Sequence, residues 1–275
     1  MKKIIPVLLI ATLAGCSAST KDEHKGHDTK GPDPARHGGH GEHGGKEPAG
    51  KLVLQTDPTD ARSGQPTTLR LMIHGAGGAM VKDFETVHEK KVHLIIVRDG
   101  LDHFAHIHPE VDDAGNLTAT FAFPTGGSYR LYADYKSAGK AQTVATAEVK
   151  VSGPSSAAPP LSPDVPGKVK GDGLDADVAV TGGKVGSPTG ISFRLLDPAG
   201  QPVSDLQPYL GAMGHLVILS ADGKEYVHAH PVDKGATNGR VGFEAHFAVP
   251  GVYKGWGQFH RSGKVHTVPF VLSIE

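Results

Sequence analysis

The stretch GQPTTLRLMI at residues 64–73 returns 122 positions later as GSPTGISFRL at residues 186–195. In both copies apolar side chains alternate with polar ones after a Gly-x-Pro-Thr start, which is the pattern of a half-buried β-strand. The match extends without a gap from residues 64–109 onto residues 186–231. A repeat of this length predicts two copies of one β-rich module.

Short apolar runs separated by turn residues continue through the rest of each copy. The runs at residues 93–97 and 215–219 are closely followed by Asp-Gly pairs, and a later run starting at Tyr129 matches one starting at Tyr253. No window has the periodicity of an amphipathic helix of ordinary length. Turns about 8 to 12 residues apart favour a sandwich of antiparallel sheets. We therefore predict an all-β chain with two tandem immunoglobulin/cupredoxin-like β-sandwich domains after a disordered His-rich tether.

Composition divides the chain into segments. We expect a signal peptide at residues 1–15, a tether at 16–50, sandwich repeat 1 at 51–151, a proline-rich linker at 152–171 and sandwich repeat 2 at 172–275. The tether lacks the apolar residues that would offset its ordering entropy. It carries His24, His27, His37, His40 and His43. These histidines either gather divalent metals loosely or belong to a solvated spacer.

The N-terminus has the features of an export signal. A basic start at residues 1–3 precedes an apolar run at residues 4–13, which is too short to span a bilayer stably. Leu13-Ala14-Gly15-Cys16 resembles the bacterial lipobox, and this resemblance implies that Cys16, the single cysteine, is lipidated. The alternative is a secretory signal with an incidental cysteine. Because serine follows Cys16, a Gram-negative source would imply the periplasmic face of the outer membrane, and any other source the cell surface.

Three histidines recur at equal spacing in the two copies. His93, His106 and His108 of repeat 1 match His215, His228 and His230 of repeat 2. Alternate residues of a strand share a face, so the second and third histidine of each set project together. Such a set predicts a metal site in each repeat, since imidazole nitrogens bind Zn(II) or Cu(II) at about 2.0–2.1 Å.

Two hairpin registers are compatible with the turn residues. A two-residue turn at residues 99–100 predicts that His93 lies directly opposite His106. In repeat 2 a turn centred on residues 222–223 predicts that His215 lies opposite His230. Either register places three histidines on one face of the sheet.

Repeat 2 carries two additional candidate ligands. Met213 lies two residues before His215, so we expect both on the same face, and His260 occupies the late-strand position where repeat 1 has Lys136. A thioether beside imidazoles suits copper in either oxidation state. We therefore expect repeat 2 to be the better copper site, with His88 and His103 as nearby substitutes in repeat 1. Imidazoles must be deprotonated to bind, so affinity should fall as pH drops through about 6.5.

Two segments carry a resemblance to a known group. PYLGAMGHLV at residues 208–217, followed by VHAHP at 227–231, resembles bacterial extracytoplasmic lipoproteins with tandem HxHP-type β-sandwich modules, which are associated with heavy-metal or copper handling. FAHIHP at residues 104–109 resembles the same motif. The resemblance covers most of residues 52–275 and implies a fold and a metal association. Repeat 1 departs from the pattern at Lys136, which takes the place of a late-strand histidine.

The predicted function is metal binding in the cell envelope. We expect a lipid-anchored protein that binds copper, with zinc as the second choice, for buffering, resistance or delivery to a membrane transporter. The formal net charge of −1 gives no reason to expect nucleic acid. One alternative is a structural or interaction module without metal, in which each histidine is only a hydrogen-bonded residue. A three-histidine zinc hydrolase is another, but its nearest acids, Asp102 and Glu225, do not occupy matching positions.

Overall fold

The structure, a computed structural model, describes residues 50–232 and 239–275, without the side chains of His228 and His230. These residues form seventeen β-strands and no helix, so none of the described segments could cross a membrane as a helix. The predicted signal peptide, the lipidated Cys16 and almost all of the predicted tether lie outside the described residues. The prediction of an all-β chain with two tandem sandwiches is confirmed.

Module 1 consists of the first nine strands. They are β1 (Lys51–Asp57), β2 (Pro66–His74), β3 (Phe84–Glu85), β4 (Val92–Arg98), β5 (Phe104–Ile107), β6 (Glu110–Val111), β7 (Leu117–Ala122), β8 (Gly127–Ser137) and β9 (Gln142–Val151). Their order is β5-β4-β8-β9-β1-β2-β7-β6, with β3 also paired to β8. All these pairs are antiparallel except a short parallel contact between β1 and β9.

Module 2 repeats this plan with eight strands. They are β10 (Gly167–Lys170), β11 (Asp175–Thr181), β12 (Pro188–Leu196), β13 (His215–Ser220), β14 (Tyr226–Pro231), β15 (Arg240–His246), β16 (Gly251–Arg261) and β17 (Lys264–Ile274). Their order is β10-β11-β12-β15-β14-β13-β16-β17. Because β10 pairs with β11, module 2 begins at Gly167, and the predicted linker at 152–171 extends too far by the length of this strand.

A tyrosine near the start of a long strand closes one corner of each sandwich. The Tyr129 hydroxyl donates to the Thr125 carbonyl at 3.0 Å, and the Tyr253 hydroxyl donates to the Val249 carbonyl at 2.7 Å. Both bonds run four residues back along the chain, as in the tyrosine corner of immunoglobulin-type sandwiches. This shared feature supports the immunoglobulin side of the fold prediction.

We expect Tyr253→Phe to lower the free energy of unfolding by about 1 kcal/mol, because it removes one hydrogen bond and leaves the Val249 carbonyl without that donor. Urea unfolding checks this value, and Tyr129→Phe is the matched change in module 1. An unchanged unfolding midpoint in both variants would contradict a structural role for the corner.

Each module has its own core, and a third cluster joins the two modules. Along β4, Leu94 and Ile96 point into the core of module 1, whereas Ile95 and Val97 point the other way. In β13, Val217 likewise turns away from the core of module 2. The interface cluster consists of buried Ile95, Val97, Leu101, Tyr132, Val217, Leu219 and Trp256, with Phe104, Val144, Leu161 and Tyr226 packed against them. Sheet β5-β4-β8-β9 of module 1 therefore packs its outer face on the equivalent sheet of module 2.

Polar contacts accompany this packing. The Arg130 guanidinium donates to the Asp222 carbonyl at 2.9 Å, and the Tyr226 hydroxyl donates to Asp134 Oδ2 at 3.3 Å. The Tyr132 hydroxyl donates to the Gly223 carbonyl. These bonds connect turns and strands of opposite modules, so the docked arrangement is specified by hydrogen bonds as well as by apolar area.

The two histidine hairpins share one register. In module 1, Ile95 pairs with His106, and the Arg98 amide bonds to the His103 carbonyl, so the loop spans residues 99–102. The predicted two-residue turn at 99–100 is therefore wrong, and His93 is in register with His108 rather than with His106. In module 2, Leu216 pairs with Ala229, which confirms that His215 is in register with His230.

Candidate metal centre

His93 is the second residue of the buried strand β4 and lies on the face of that strand that meets module 2. Its Nε2 lies 2.9 Å from the Val87 carbonyl oxygen. A carbonyl only accepts, so Nε2 carries the hydrogen and donates, and Nδ1 of a neutral imidazole keeps its lone pair. The fold thus directs one lone pair of His93 toward β5.

His106 and His108 bring two further nitrogens to the same point. His106 Nε2 lies 3.0 Å from His93 Nδ1, and His108 Nε2 lies 3.3 Å from His93 Nδ1. The three ligand atoms all lie within 4.8 Å of one another. We call these three residues the histidine triad.

The outer nitrogen of His106 contacts module 2. His106 Nδ1 lies 2.6 Å from Gln258 Oε1. Since an amide oxygen accepts, Nδ1 is the donor, and Nε2 is the nitrogen with the free lone pair in the neutral ring. The same orientation recurs in many metal sites, where the ligating histidine donates its other N–H to an oxygen.

Two lone pairs therefore face each other inside the triad. His93 Nδ1 and His106 Nε2 are both acceptors once their outer nitrogens are committed, yet they are 3.0 Å apart. Two nitrogens bound tetrahedrally to one metal at about 2.0–2.1 Å lie about 3.3–3.4 Å apart. The spacing is suited to a shared cation, which is either a metal ion or a proton.

Burial disfavours the proton. Burial lowers the pKa of His106 well below 6.5, against the opposing effect of its hydrogen bond to Gln258, and the neighbouring imidazoles lower it further. Burial, with the charges of His93 and Lys90, lowers the pKa of His108 to about 4. At neutral pH these two rings are neutral, which is the form that binds metals.

His215 is held in module 2 as His93 is held in module 1. Its Nε2 donates to the Tyr209 carbonyl at 3.1 Å, and Tyr209 is 122 residues after Val87. The His215 ring lies 6.2 Å from the His93 ring and 5.0 Å from the ring of His88. The first histidines of the two predicted sites thus lie close together at the module boundary, a proximity that the repeat pattern did not predict.

The other predicted ligands of repeat 2 separate into two groups. His228 and His230 belong to β14, where His228 pairs with Val217 and His230 with Glu244, and their side chains lie outside the described structure. Met213 precedes β13 and packs against the core of module 2. The expectation that Met213 shares a ligand face with His215 is wrong, because face alternation holds only within an extended strand.

His260 lies on β16, two residues after Gln258. Its ring lies 6.3 Å from the Tyr209 ring, and its buried Nδ1 has no hydrogen-bond partner among the described residues. No described contact joins it to the triad. The substitute His88 does reach the cluster, with its ring 6.2 Å from that of His93, whereas His103 contributes a backbone carbonyl to the hairpin.

Three further histidines have their described contacts outside the histidine triad. His74 Nδ1 contacts the Gly78 carbonyl, His246 pairs with Glu244, and His266 Nδ1 contacts the Asp172 carbonyl. The residue that sequence reasoning missed is Gln258. No sequence pattern marks Gln258, because its place beside His215 arises only from the pairing of β13 with β16.

Comparison with solved structures finds bacterial adhesins with low sequence identity and low TM-scores. The Escherichia coli adhesin FdeC is 15% identical with a TM-score of 0.26, over 82% of this chain and 64% of that one. The bacterial integrin-binding protein invasin is 11% identical (TM-score 0.24; 81% and 39%), and the Yersinia pseudotuberculosis adhesin InvE is 12% identical (TM-score 0.25; 84% and 62%). The chain spans less than two thirds of each. At these values none of the likenesses bears on function.

Sequence comparison gives one positive result. No curated protein sequence matches the chain significantly. A family model described as a domain of unknown function, DUF8832, matches residues 49–153 and again residues 168–275. These two matches coincide with modules 1 and 2 and confirm the internal repeat. The chain therefore belongs to the DUF8832 family, with two copies of its domain in tandem.

Proposed function

We propose that the protein binds a transition-metal ion at the histidine triad, with Cu(II) favoured and Zn(II) second. The observation that carries this proposal is the convergence of three imidazole nitrogens, two of which, on His93 and His106, have lone pairs that face each other because their outer nitrogens are committed to oxygen acceptors. A hydrogen-bonded structural histidine needs no such arrangement, since one donor and one acceptor suffice.

The donor set supports the choice of metal. Three imidazoles without a thiolate suit Cu(II) and Zn(II), and Cu(II) binds a given nitrogen site more tightly in the general order of divalent metals. Because Met213 packs against the core of module 2 and is not part of the histidine triad, the thioether argument for Cu(I) does not apply to this site. We therefore place the ion in its divalent state.

The setting of this activity follows from the N-terminal residues. The lipobox resemblance at Cys16 supports a lipid-anchored protein of the cell envelope, and the histidine-rich tether supports metal collection ahead of the folded modules. Buffering, resistance and delivery to a membrane transporter are the three roles that such a protein could serve. A hydrolase is disfavoured because Asp102 is held by both of its carboxylate oxygens against Arg98.

Metal titration with a matched control tests the proposal. In the protein used for this test the five tether histidines are replaced by asparagine, so that the tether contributes no imidazole. One variant replaces His93, His106 and His108 by alanine, and the control replaces His74, His246 and His266. We expect stoichiometric Cu(II) binding to be lost in the first variant and kept in the control. Equal, weak binding in both would overturn the proposal and favour an envelope module without metal.

A second variant tests whether module 2 binds a metal ion of its own. It replaces His215, His228 and His230 by alanine in the same background. If the repeats are equivalent sites, the wild-type stoichiometry of two ions falls to one in this variant and in the triad variant. A stoichiometry of one that only the triad variant abolishes assigns the metal to module 1.

The pH profile of binding should be shallower than for exposed histidines. Three unperturbed imidazoles would lose affinity by up to about three powers of ten per pH unit below 6.5. Because burial lowers the pKa of both His106 and His108, these rings are mostly neutral in this range, so binding should displace fewer than three protons between pH 6.5 and 5. Competition titrations across this range measure the slope directly. A slope near three would show that the triad titrates as if exposed.

A further inference from the structure

We propose that Gln258 of module 2 is the positioning residue of the metal site in module 1, so that the docked pair of modules, and not one module, forms the complete site. Gln258 would orient the ring of His106, and its predicted effect on metal affinity rests on the proposed function. The same contact also sets, in the metal-free protein, which nitrogen of His106 carries the hydrogen.

Gln258 of module 2 contacts His106 of module 1 directly. Gln258 Oε1 and His106 Nδ1 lie 2.6 Å apart and belong to residues 152 positions apart in the chain. Gln258 is 6% exposed, so water does not compete strongly for its amide. An acceptor at this distance holds the hydrogen on Nδ1 and leaves Nε2 directed at His93.

Asp134 occupies in module 1 the position that Gln258 occupies in module 2. Gln258 pairs with His215 across β16 and β13, and Asp134 pairs with His93 across β8 and β4. Asp134 is also buried, and it accepts a hydrogen bond from Tyr226 of module 2. Each module therefore presents the residue beside its own first histidine to a side chain of the other module. Because the contact occurs from both modules, it is a regular part of the interface and not a single chance contact.

Aromatic packing across the interface holds the strands of Gln258 and His106 together. Gln258 lies on β16 with Trp256, whose ring stacks on Phe104 of module 1 at 4.6 Å between centroids. Phe104 lies on β5, the strand that also carries His106. The acceptor and the ligand are thus fixed by the same apolar packing, and ligand geometry depends on docking of the modules.

The test uses three substitutions in the chain with asparagine at the tether histidines. Gln258→Leu removes the acceptor at similar size, and Gln258→Glu keeps an oxygen that can only accept. Gln258→Asn keeps the amide but shortens the side chain by one methylene, and it decides the question if the leucine variant fails to fold. Gln207→Leu is the control, because Gln207 bonds to the Gly263 amide away from the triad.

Two measurements are made on each variant. Nitrogen NMR of the metal-free protein identifies the protonated nitrogen of His106, and competition titration gives the Cu(II) affinity. We expect the Nδ1–H form in the wild type, the control and Gln258→Glu, and its loss in Gln258→Leu and Gln258→Asn. We expect affinity to fall about 10- to 100-fold in the last two and to stay within about tenfold of wild type in Gln258→Glu.

The outcomes separate this inference from the proposed function. Wild-type His106 in the Nε2–H form, or unchanged affinity in Gln258→Leu, would overturn the positioning role. A loss in Gln258→Glu as large as in the leucine variant would do the same, because it would mean that the amide NH₂ is the working group. If no variant binds metal, the proposed function fails, while the NMR result still decides whether Gln258 orients His106.

Discussion

Replacing His108 by alanine is expected to lower Cu(II) affinity by about 100- to 1,000-fold. Binding free energies of about 10–16 kcal/mol at structural zinc sites, shared among four ligands, give roughly 2.5–4 kcal/mol per ligand, and each 1.4 kcal/mol is a factor of ten. His108 is the member of the triad best suited to this test. It is half-buried, and its described hydrogen-bonding contact is with His93 inside the triad.

The measurement is competition titration beside urea unfolding of the metal-free protein. His246→Ala is the control, since that side chain is 61% exposed and pairs with Glu244 outside the site. The metal-free stability of the His108 variant should stay within about 1 kcal/mol of wild type, because little packing is removed. Affinity equal to that of the control would remove His108 from the ligand set.

Replacing Trp256 by alanine should lower the free energy of unfolding by about 3–5 kcal/mol, the usual cost of removing a buried aromatic side chain. Trp256 is 3% exposed and stacks on Phe104 with an interplanar angle of 11°. It belongs to the interface cluster and not to the core of module 2. The loss should therefore be a loss of docking, with each sandwich retained.

Three readouts distinguish docking from folding in this variant. Denaturant unfolding gives the stability, small-angle scattering gives the separation of the modules, and Cu(II) titration reports on His106. We expect Trp256→Phe to keep the stacking and most of the stability, and Phe243→Ala, in the core of module 2, to destabilise without separating the modules. Wild-type dimensions and affinity in Trp256→Ala would mean that the interface cluster does not hold the modules together.

The errors in the sequence predictions have a common cause. Two different hairpin registers were predicted for repeats that match at a constant offset, although equal spacing requires a single register in both. The Asp-Gly pair of repeat 1 indicated a short turn, but Leu101 adopts a left-handed conformation and extends the loop to four residues. Met213 was placed by counting along a strand that begins only at His215. In both cases the prediction assumed the alternation and pairing of a regular strand, whereas the residues concerned lie in or next to a turn.

The sequence by itself determined the local features of this protein. Strand alternation, turn residues and the constant offset are carried by neighbouring residues, and they were enough to predict the all-β class, the duplication and the three recurring histidines. Only the tertiary structure decided that the outer sheet faces pack together and that Gln258 reaches His106 across 152 residues. The physical reason is that strand patterns record which side chains are apolar, whereas β4 and β13 are apolar on both faces, so periodicity alone cannot tell which module covers the second face.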